Sequence, residues 1–187
     1  LDTDIASIDI KDGRAVGATA SNGNYYPADS VICNADPPTV YRQMMPAKHA
    51  NGKRLMPDKL TQYSMGLFVL FFGTKKRYDN IAHHTIWMGP RYKELLADIF
   101  NRKILADDFS LYLHRPTATD ESFAPDGCDS FYVLCPVPNL RASINWNESG
   151  PKLQDRIIKA LADTILPDLD KVISDPFYMT PEDFKND

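Results

Sequence analysis

From Met65 to Phe72 the chain is apolar without interruption, Met-Gly-Leu-Phe-Val-Leu-Phe-Phe, and the run stops at Gly73. Eight residues are far too few to cross a bilayer as a helix, which takes about 20. They are also too evenly apolar for a half-exposed strand, so the run reads as a strand covered on both faces at the centre of a sheet. The flanking segments supply the rest of a domain. Ile81 to Met88 reads as another strand and Arg91 to Phe100 as a helix with Leu95, Leu96, Ile99 and Phe100 inward. Phe109 to His114 alternates as a strand does, and Phe131 to Leu134 adds one more.

After Trp146 the period changes. Pro151 stands near a helix start, and Leu153, Ile157, Leu161 and Ile165 recur four residues apart until Pro167, as in an amphipathic helix lying on a sheet. Val172 to Met179 is extended, and Thr180-Pro181-Glu182-Asp183 is a helix start with no helix expected after it. Strands and helices without regular βαβ alternation make an α+β fold, with a mixed or antiparallel sheet and packed helices.

The first residues have a different grammar. Ile8 and Ile10 precede Asp12-Gly13, Val16 and Ala18 follow, and Asn22-Gly23 comes before Tyr25, Tyr26 and Val31-Ile32. Both dipeptides suit two-residue hairpins, whose central residues need positive φ, so a three-stranded β-meander is expected. Asp36 before Pro37-Pro38 is a capping side chain ahead of prolines, which places a short helix through Val40 and Met44. Pro46 to Asp58 is basic and irregular, with Lys48, His49, Lys53 and Arg54 around Asn51-Gly52, as in an exposed crossover between domains. The division expected is therefore 1–36 for the meander, 37–60 for helix and crossover, and 61–187 for the sheet domain.

Charge and cysteines narrow the function. A formal net charge of -4 with a pI near 5.5 argues against a phosphate-binding surface, and nucleic acid is not an expected partner. Cys33, Cys128 and Cys135 are odd in number and lack CxxC spacing, which indicates neither a disulfide framework nor a zinc ribbon and fits a reducing, cytoplasmic compartment. Asp2 and Asp4 occupy the place where a signal peptide would carry cations. A first residue that is not Met, together with the interrupted helix start, reads as a piece of a longer protein.

Candidate chemistry is sparse. His83-His84 is a weak metal signal: neighbours on a strand point to opposite faces, so only one is expected at a common site, and no metal is expected. His114, beside Tyr112 on an alternating strand, suits either a site residue or a hydrogen-bonded structural histidine. Asp107-Asp108 and Asp120-Glu121 sit where Asp caps or turns a chain. Nucleophile elbows, Walker loops and GxGxxG are absent, which removes a hydrolase, nucleotide phosphoryl transfer and a self-contained dinucleotide site. Asn147-Glu148-Ser149 is a sequon of the kind that arises by chance. What remains is a set of apolar and aromatic residues, the Met65 to Phe72 run with Trp87, Tyr112, Phe131 and Tyr132, which suits either an ordinary core or a greasy pocket.

Several stretches, in order, resemble the bacterial phytoene desaturases: Ser64 to Gly73, Ala82-His83-His84-Thr85, Gly89-Pro90-Arg91-Tyr92, and Asp108 to His114 running into Pro116 and Thr119-Asp120. Ala124-Pro125-Asp126-Gly127, Tyr132-Val133-Leu134, Pro136-Val137-Pro138 and Gly150-Pro151-Lys152-Leu153 continue the match. The resemblance implies a FAD-dependent enzyme of the flavin amine oxidase-like superfamily that inserts double bonds into phytoene, an apolar C40 carotenoid precursor, towards lycopene. It further implies peripheral contact with a membrane and an electron acceptor such as quinone or oxygen. Under it, the meander is the tail of a split FAD-binding domain and the chain from about Thr61 is the substrate domain, cut short at its C-terminus. The main FAD motifs then lie outside these residues, and the isolated chain is expected to be inactive. Leu67, Phe68, Val69 and Phe71 become candidates for lining a substrate tunnel, with Tyr112 and His114 beside them; no catalytic or cofactor residue is assigned. A related carotenoid desaturase, isomerase or oxygenase, and a non-catalytic carrier of apolar ligands, are the rival readings.

Overall fold

The computed structural model describes residues 2–50 and 60–186 and divides into two compact units, Leu1–Gln62 and Tyr63–Asp187. Asn51, Gly52, Lys53 and Arg54 of the basic connection lie outside the described residues. In the first unit, β1 (Ile5–Lys11), β2 (Arg14–Ala20) and β3 (Tyr25–Pro27) form an antiparallel meander in chain order. Asp12 and Gly13 both take positive φ, 50° and 79°, as the two-residue hairpin requires. The third strand is shorter than expected: it ends at Pro27, and Ile32 is 98% exposed. Proline cannot donate to a further ladder bond. A short helix α1 (Pro37–Thr39) continues as a π turn over Val40–Met44. Asp36 precedes it without a side-chain cap bond, and Pro38 removes one of the two helical N–H groups from which such a cap accepts.

The second unit is α+β. Its sheet runs β5-β6-β7-β4-β8 and is antiparallel throughout: β4 (Gly66–Thr74), β5 (His84–Trp87), β6 (Leu111–His114), β7 (Asp129–Val137) and β8 (Ile173–Met179). The apolar run is thus an interior strand, paired along its full length with β7 from Gly66↔Val137 to Thr74↔Asp129, and with β8 on its other side. β5 is shorter than the expected Ile81 to Met88, because the Ile81 amide closes a turn onto the Tyr78 carbonyl at 2.9 Å.

Helix α2 (Tyr92–Ala97) passes into a π turn over Asp98–Arg102. Leu95 and Ile99 are buried, but Phe100 is 44% exposed, since the wider turn shifts the helical phase. Helix α3 (Trp146–Asp163) starts five residues before Pro151, capped by the Asn145 side chain, which accepts from the Asn147 amide. Pro151 therefore lies inside the helix, where its missing N–H forfeits a single intrahelical bond. Leu153, Ile157 and Leu161 face the sheet fully buried, whereas Ile165 lies past the helix end. After α4 (Leu169–Val172) and β8, a helix does follow the Thr180 start: α5 (Pro181–Asn186), with the Asp183 carboxylate accepting from the Thr180 amide and hydroxyl at 2.7 Å.

Side chains on a strand alternate between faces. Even-numbered β4 residues Phe68, Leu70 and Phe72 join Leu111, Leu113, Phe131, Val133, Cys135 and Val137 in one core beneath α3. At the edge of that core, Asp129 and Arg115 form a buried ion pair at 2.9 Å.

Candidate functional site

The opposite face of the sheet carries the odd-numbered side chains of β4 and the even-numbered ones of β6 and β7. Cross-strand register lays His84, His114, Tyr132, Phe71 and Phe177 side by side, one from each strand. Neighbouring ring centroids along the row are 5.3, 4.6, 6.0 and 4.8 Å apart, so it is a continuous aromatic band. Five strands at about 4.8 Å spacing make it about 19 Å long. A second row beside it reads Ile86, Tyr112, Leu134, Val69 and Met179, and Leu67 opposite Pro136 begins a third. Ile86 is 62% and Phe177 58% exposed.

The polar atoms of this face gather at its β5–β6 end. The Nε2 atoms of His83 and His114 are 2.7 Å apart, His83 Nδ1 lies 2.5 Å from the Thr119 hydroxyl, and His84 Nδ1 lies 2.7 Å from the Tyr112 hydroxyl. The expectation that His83 and His84 diverge fails for a local reason. Strand β5 begins at His84, so His83 precedes the strand and its ring swings to the same side. His114 Nδ1 is buried without a partner. Burial, then the neighbouring His83 and His84, hold His114 below the usual imidazole range. The Tyr132 hydroxyl, followed by burial, raises the Tyr112 phenol.

Of the six tunnel candidates, Leu67, Val69, Phe71, Tyr112 and His114 share this face. Phe68 does not: it is fully buried on the core side, stacked on Tyr178 at 5.0 Å and Trp146 at 6.3 Å. Of the other aromatics, Tyr132 lies on the open face while Phe131 is core and Trp87 packs against the core. Phe177, Met179, Leu134, Ile86 and His84 complete the surface and were not legible as site residues, since their membership depends on register between strands. Of the carboxylate pairs, Asp120 turns the chain, accepting from the Ser122 amide at 2.9 Å, whereas Asp108 makes no such cap and pairs with Arg91. A separate depression of about 560 Å³ in the first unit, between Lys11 and Asp29, mixes both charges and lacks the apolar character of the sheet face.

A phytoene desaturase (lycopene-forming) of Pseudescherichia vulneris is 40% identical over 185 residues, 98% of this chain and 38% of that protein. A second, of Paracoccus sp., is 41% identical over 188 residues, 100% of this chain and 38% of its own length. The chain is homologous to the phytoene desaturases along its whole length. A neurosporene-forming phytoene desaturase of Rhodobacter capsulatus, at 39% over 194 residues, shows that the homology extends across relatives named for different products. The chain spans about 38% of the length of the first two of these relatives. No family model matches it. Among solved structures, an oxidoreductase from Methanosarcina mazei shares the fold with a TM-score of 0.56 at 16% identity, over 95% of this chain and 36% of that one. No helix among the described residues is long and apolar enough to cross a membrane.

Proposed function

We propose that this segment is the substrate-binding part of a FAD-dependent phytoene desaturase, and that the open face of its sheet is one wall of the channel for the C40 polyene. The observation that carries the reading is the aromatic band from His84 to Phe177, with its apolar second row. A hydrocarbon offers no hydrogen bond, so its orientation has to come from shape and from ring faces stacked along its length. Phe71, Phe177 and Tyr132 supply such faces; Val69, Leu67 and Leu134 exclude water beside them. On this reading Leu1–Gln62 holds the tail of the FAD-binding domain and the following unit is the substrate domain.

FAD supplies hydride acceptance in such chemistry. These 187 residues contain no GxGxxG loop to cradle its pyrophosphate, so they do not by themselves fit that group, and its binding is assigned outside this segment. The protein so completed meets its substrate at a membrane surface from the cytoplasm and passes electrons to an acceptor such as quinone or oxygen.

The test supplies the full-length protein containing this segment with FAD, phytoene in liposomes and an acceptor, and follows polyene absorbance. A red-shifted product that requires FAD is expected, and the wavelength of its absorption maximum, which rises with the number of conjugated double bonds, gives the number of desaturations. Phytoene bound but unchanged would overturn the reading in favour of a carrier; isomerised or oxygenated product would place the protein with the related carotenoid enzymes.

A further inference from the structure

Beyond that reading, we infer that His83, His84 and His114 form a binding site for one divalent transition-metal ion of the zinc class. The three side chains each offer a ring nitrogen within 4.8 Å of the other two. Nitrogens bound to one zinc ion at about 2.0–2.1 Å are about 3.3 Å apart when tetrahedral. The closest pair, at 2.7 Å, has to open slightly and the widest to close for one ion to hold all three.

The surroundings match those of a metal centre. A ligating histidine ordinarily has its other ring nitrogen held by a hydrogen bond, which fixes the tautomer and aims the first nitrogen at the metal. The Thr119 hydroxyl holds Nδ1 of His83, and the Tyr112 hydroxyl holds Nδ1 of His84, so each ring is anchored at its far side with Nε2 left for the centre. The cluster is not satisfied by protein atoms alone. Two imidazoles facing each other through Nε2 at 2.7 Å share a single proton between them, whereas an ion gives both lone pairs a partner; Nδ1 of His114, on the far side of its ring, is buried with no partner and is left to a water. An incompletely satisfied buried polar atom calls for a ligand, a water or a chemical role.

The donor set also states which ions it takes. Three neutral imidazoles with no carboxylate or thiolate in the cluster suit Zn²⁺, Ni²⁺ or Cu²⁺ and disfavour Mg²⁺ and Ca²⁺, which require oxygen ligands. Three protein ligands leave a fourth position open, and the exposed ring of His84 puts it within reach of solvent. The ion would sit beside Tyr132, whose ring is 4.6 Å from that of His114. It would thus place a positive charge at one end of an otherwise apolar face.

The test titrates with zinc sulfate by calorimetry the tag-free, chelator-treated 187-residue chain once a cooperative urea transition has established that it is folded, and otherwise the full-length protein containing it, with Co²⁺ substitution for visible spectroscopy. One site per chain is expected, with a dissociation constant on the order of micromolar. The Co²⁺ form should show the intense visible bands of a four- or five-coordinate ion, and millimolar Mg²⁺ or Ca²⁺ should not compete. His114→Ala and His83→Gln should each weaken binding at least about tenfold. His84→Gln, at an exposed ring, keeps the test decisive if His114→Ala does not fold, and His49→Gln, the one histidine outside the cluster, should change nothing. Absence of saturable binding up to about 100 μM zinc, or binding that survives both His83→Gln and His84→Gln, would overturn the inference. The readout is metal occupancy, so it is independent of whether the full-length protein desaturates phytoene.

Discussion

Replacing Asp129 by Asn should unfold the sheet domain more readily than its small change in shape suggests. The Asp129 side chain is fully buried and that of Arg115 is 3% exposed. One carboxylate oxygen accepts from the Tyr78 amide at 2.7 Å and from Arg115 Nε at 2.9 Å; the other accepts from the Thr117 hydroxyl at 2.5 Å. Asparagine can keep this geometry, its oxygen facing Tyr78 and Arg115 and its amide donating to the Thr117 oxygen. Only the charge is lost. Arg115 then remains buried, with the Ile81 carbonyl at 2.9 Å and with Asp79, 76% exposed and 3.2 Å away, as its remaining carboxylate. Leaving one member of a buried pair uncompensated costs about 3–5 kcal/mol, and the retained hydrogen bonds put Asp129→Asn at the lower end, about 3 kcal/mol. Asp129→Ala also strands the Tyr78 amide and Thr117 hydroxyl, each worth about 1–3 kcal/mol, and should cost more. Urea unfolding followed by tryptophan fluorescence reads the right unit, because both tryptophans, Trp87 and Trp146, lie in it. A double variant, Asp129→Asn with Arg115→Met, should recover much of the loss, since it keeps partners for the Tyr78 amide and the Thr117 hydroxyl and removes the uncompensated charge. A loss below about 1 kcal/mol for Asp129→Asn, the range of a solvated pair, would refute the argument that the charge is buried and needed.

Four further outcomes follow from the structure. Gly150→Ala should destabilise the fold despite a gain of about 1 kcal/mol in helix propensity, because an added Cβ meets the Tyr178 ring at 2.9 Å; a rise in urea midpoint would contradict the close approach. Burial pushes the Cys135 thiol up to about 12, so iodoacetamide at pH 8 should label exposed Cys33 and spare Cys135 until urea is added, as peptide mapping will show. Hydrogen bonds from Thr180 hold the Asp183 carboxyl below the usual carboxylate range; its stabilisation of α5 is therefore complete above the ordinary range and lost as pH falls through the lowered folded value, and the Thr180 amide shift should track that loss, vanishing in Asp183→Asn. Phe177→Ala, at a ring 58% exposed, should cost under about 1 kcal/mol yet reduce turnover of phytoene in the full-length protein; unchanged turnover would remove Phe177 from the channel wall.

The fold was legible wherever local chemistry decides it. Asp12-Gly13 gave its hairpin because few residues accept two successive positive φ angles, and Leu153, Ile157 and Leu161 gave the buried stripe of α3 because the helical period repeats them. Boundaries failed where a nonlocal contact or a backbone irregularity intervenes. Trp146 rather than Pro151 opens α3, since a single missing donor costs less than the turn that the Asn145 cap secures. Phe100 leaves the core because a π turn, which no simple period encodes, rotates it outward. The histidine cluster was missed for a similar reason: strand alternation separates His83 from His84 only if both lie in the strand, and β5 begins between them.

The site poses a deeper problem, which lies in β4 itself. An unbroken apolar run announces that both faces of a strand avoid water, but not what covers each. Phe68 and Phe71 are the same residue type three positions apart, yet one is packed under α3 and the other faces outward, and nothing local distinguishes them. The neighbouring strands do carry a distinction. In β6 the buried positions are Leu111 and Leu113 and the others Tyr112 and His114; in β7 Phe131 and Val133 are buried while Tyr132 is half-exposed. Tyrosine and histidine add a polar tip to an apolar ring, which suits a wall that meets a greasy ligand on its ring faces and solvent or another ring nitrogen at its edge. A core without partners for those tips would exclude them. Parity in β6 and β7 therefore marks the open face, and the register Phe71↔Tyr132↔His114 carries that mark into β4, where composition alone is silent.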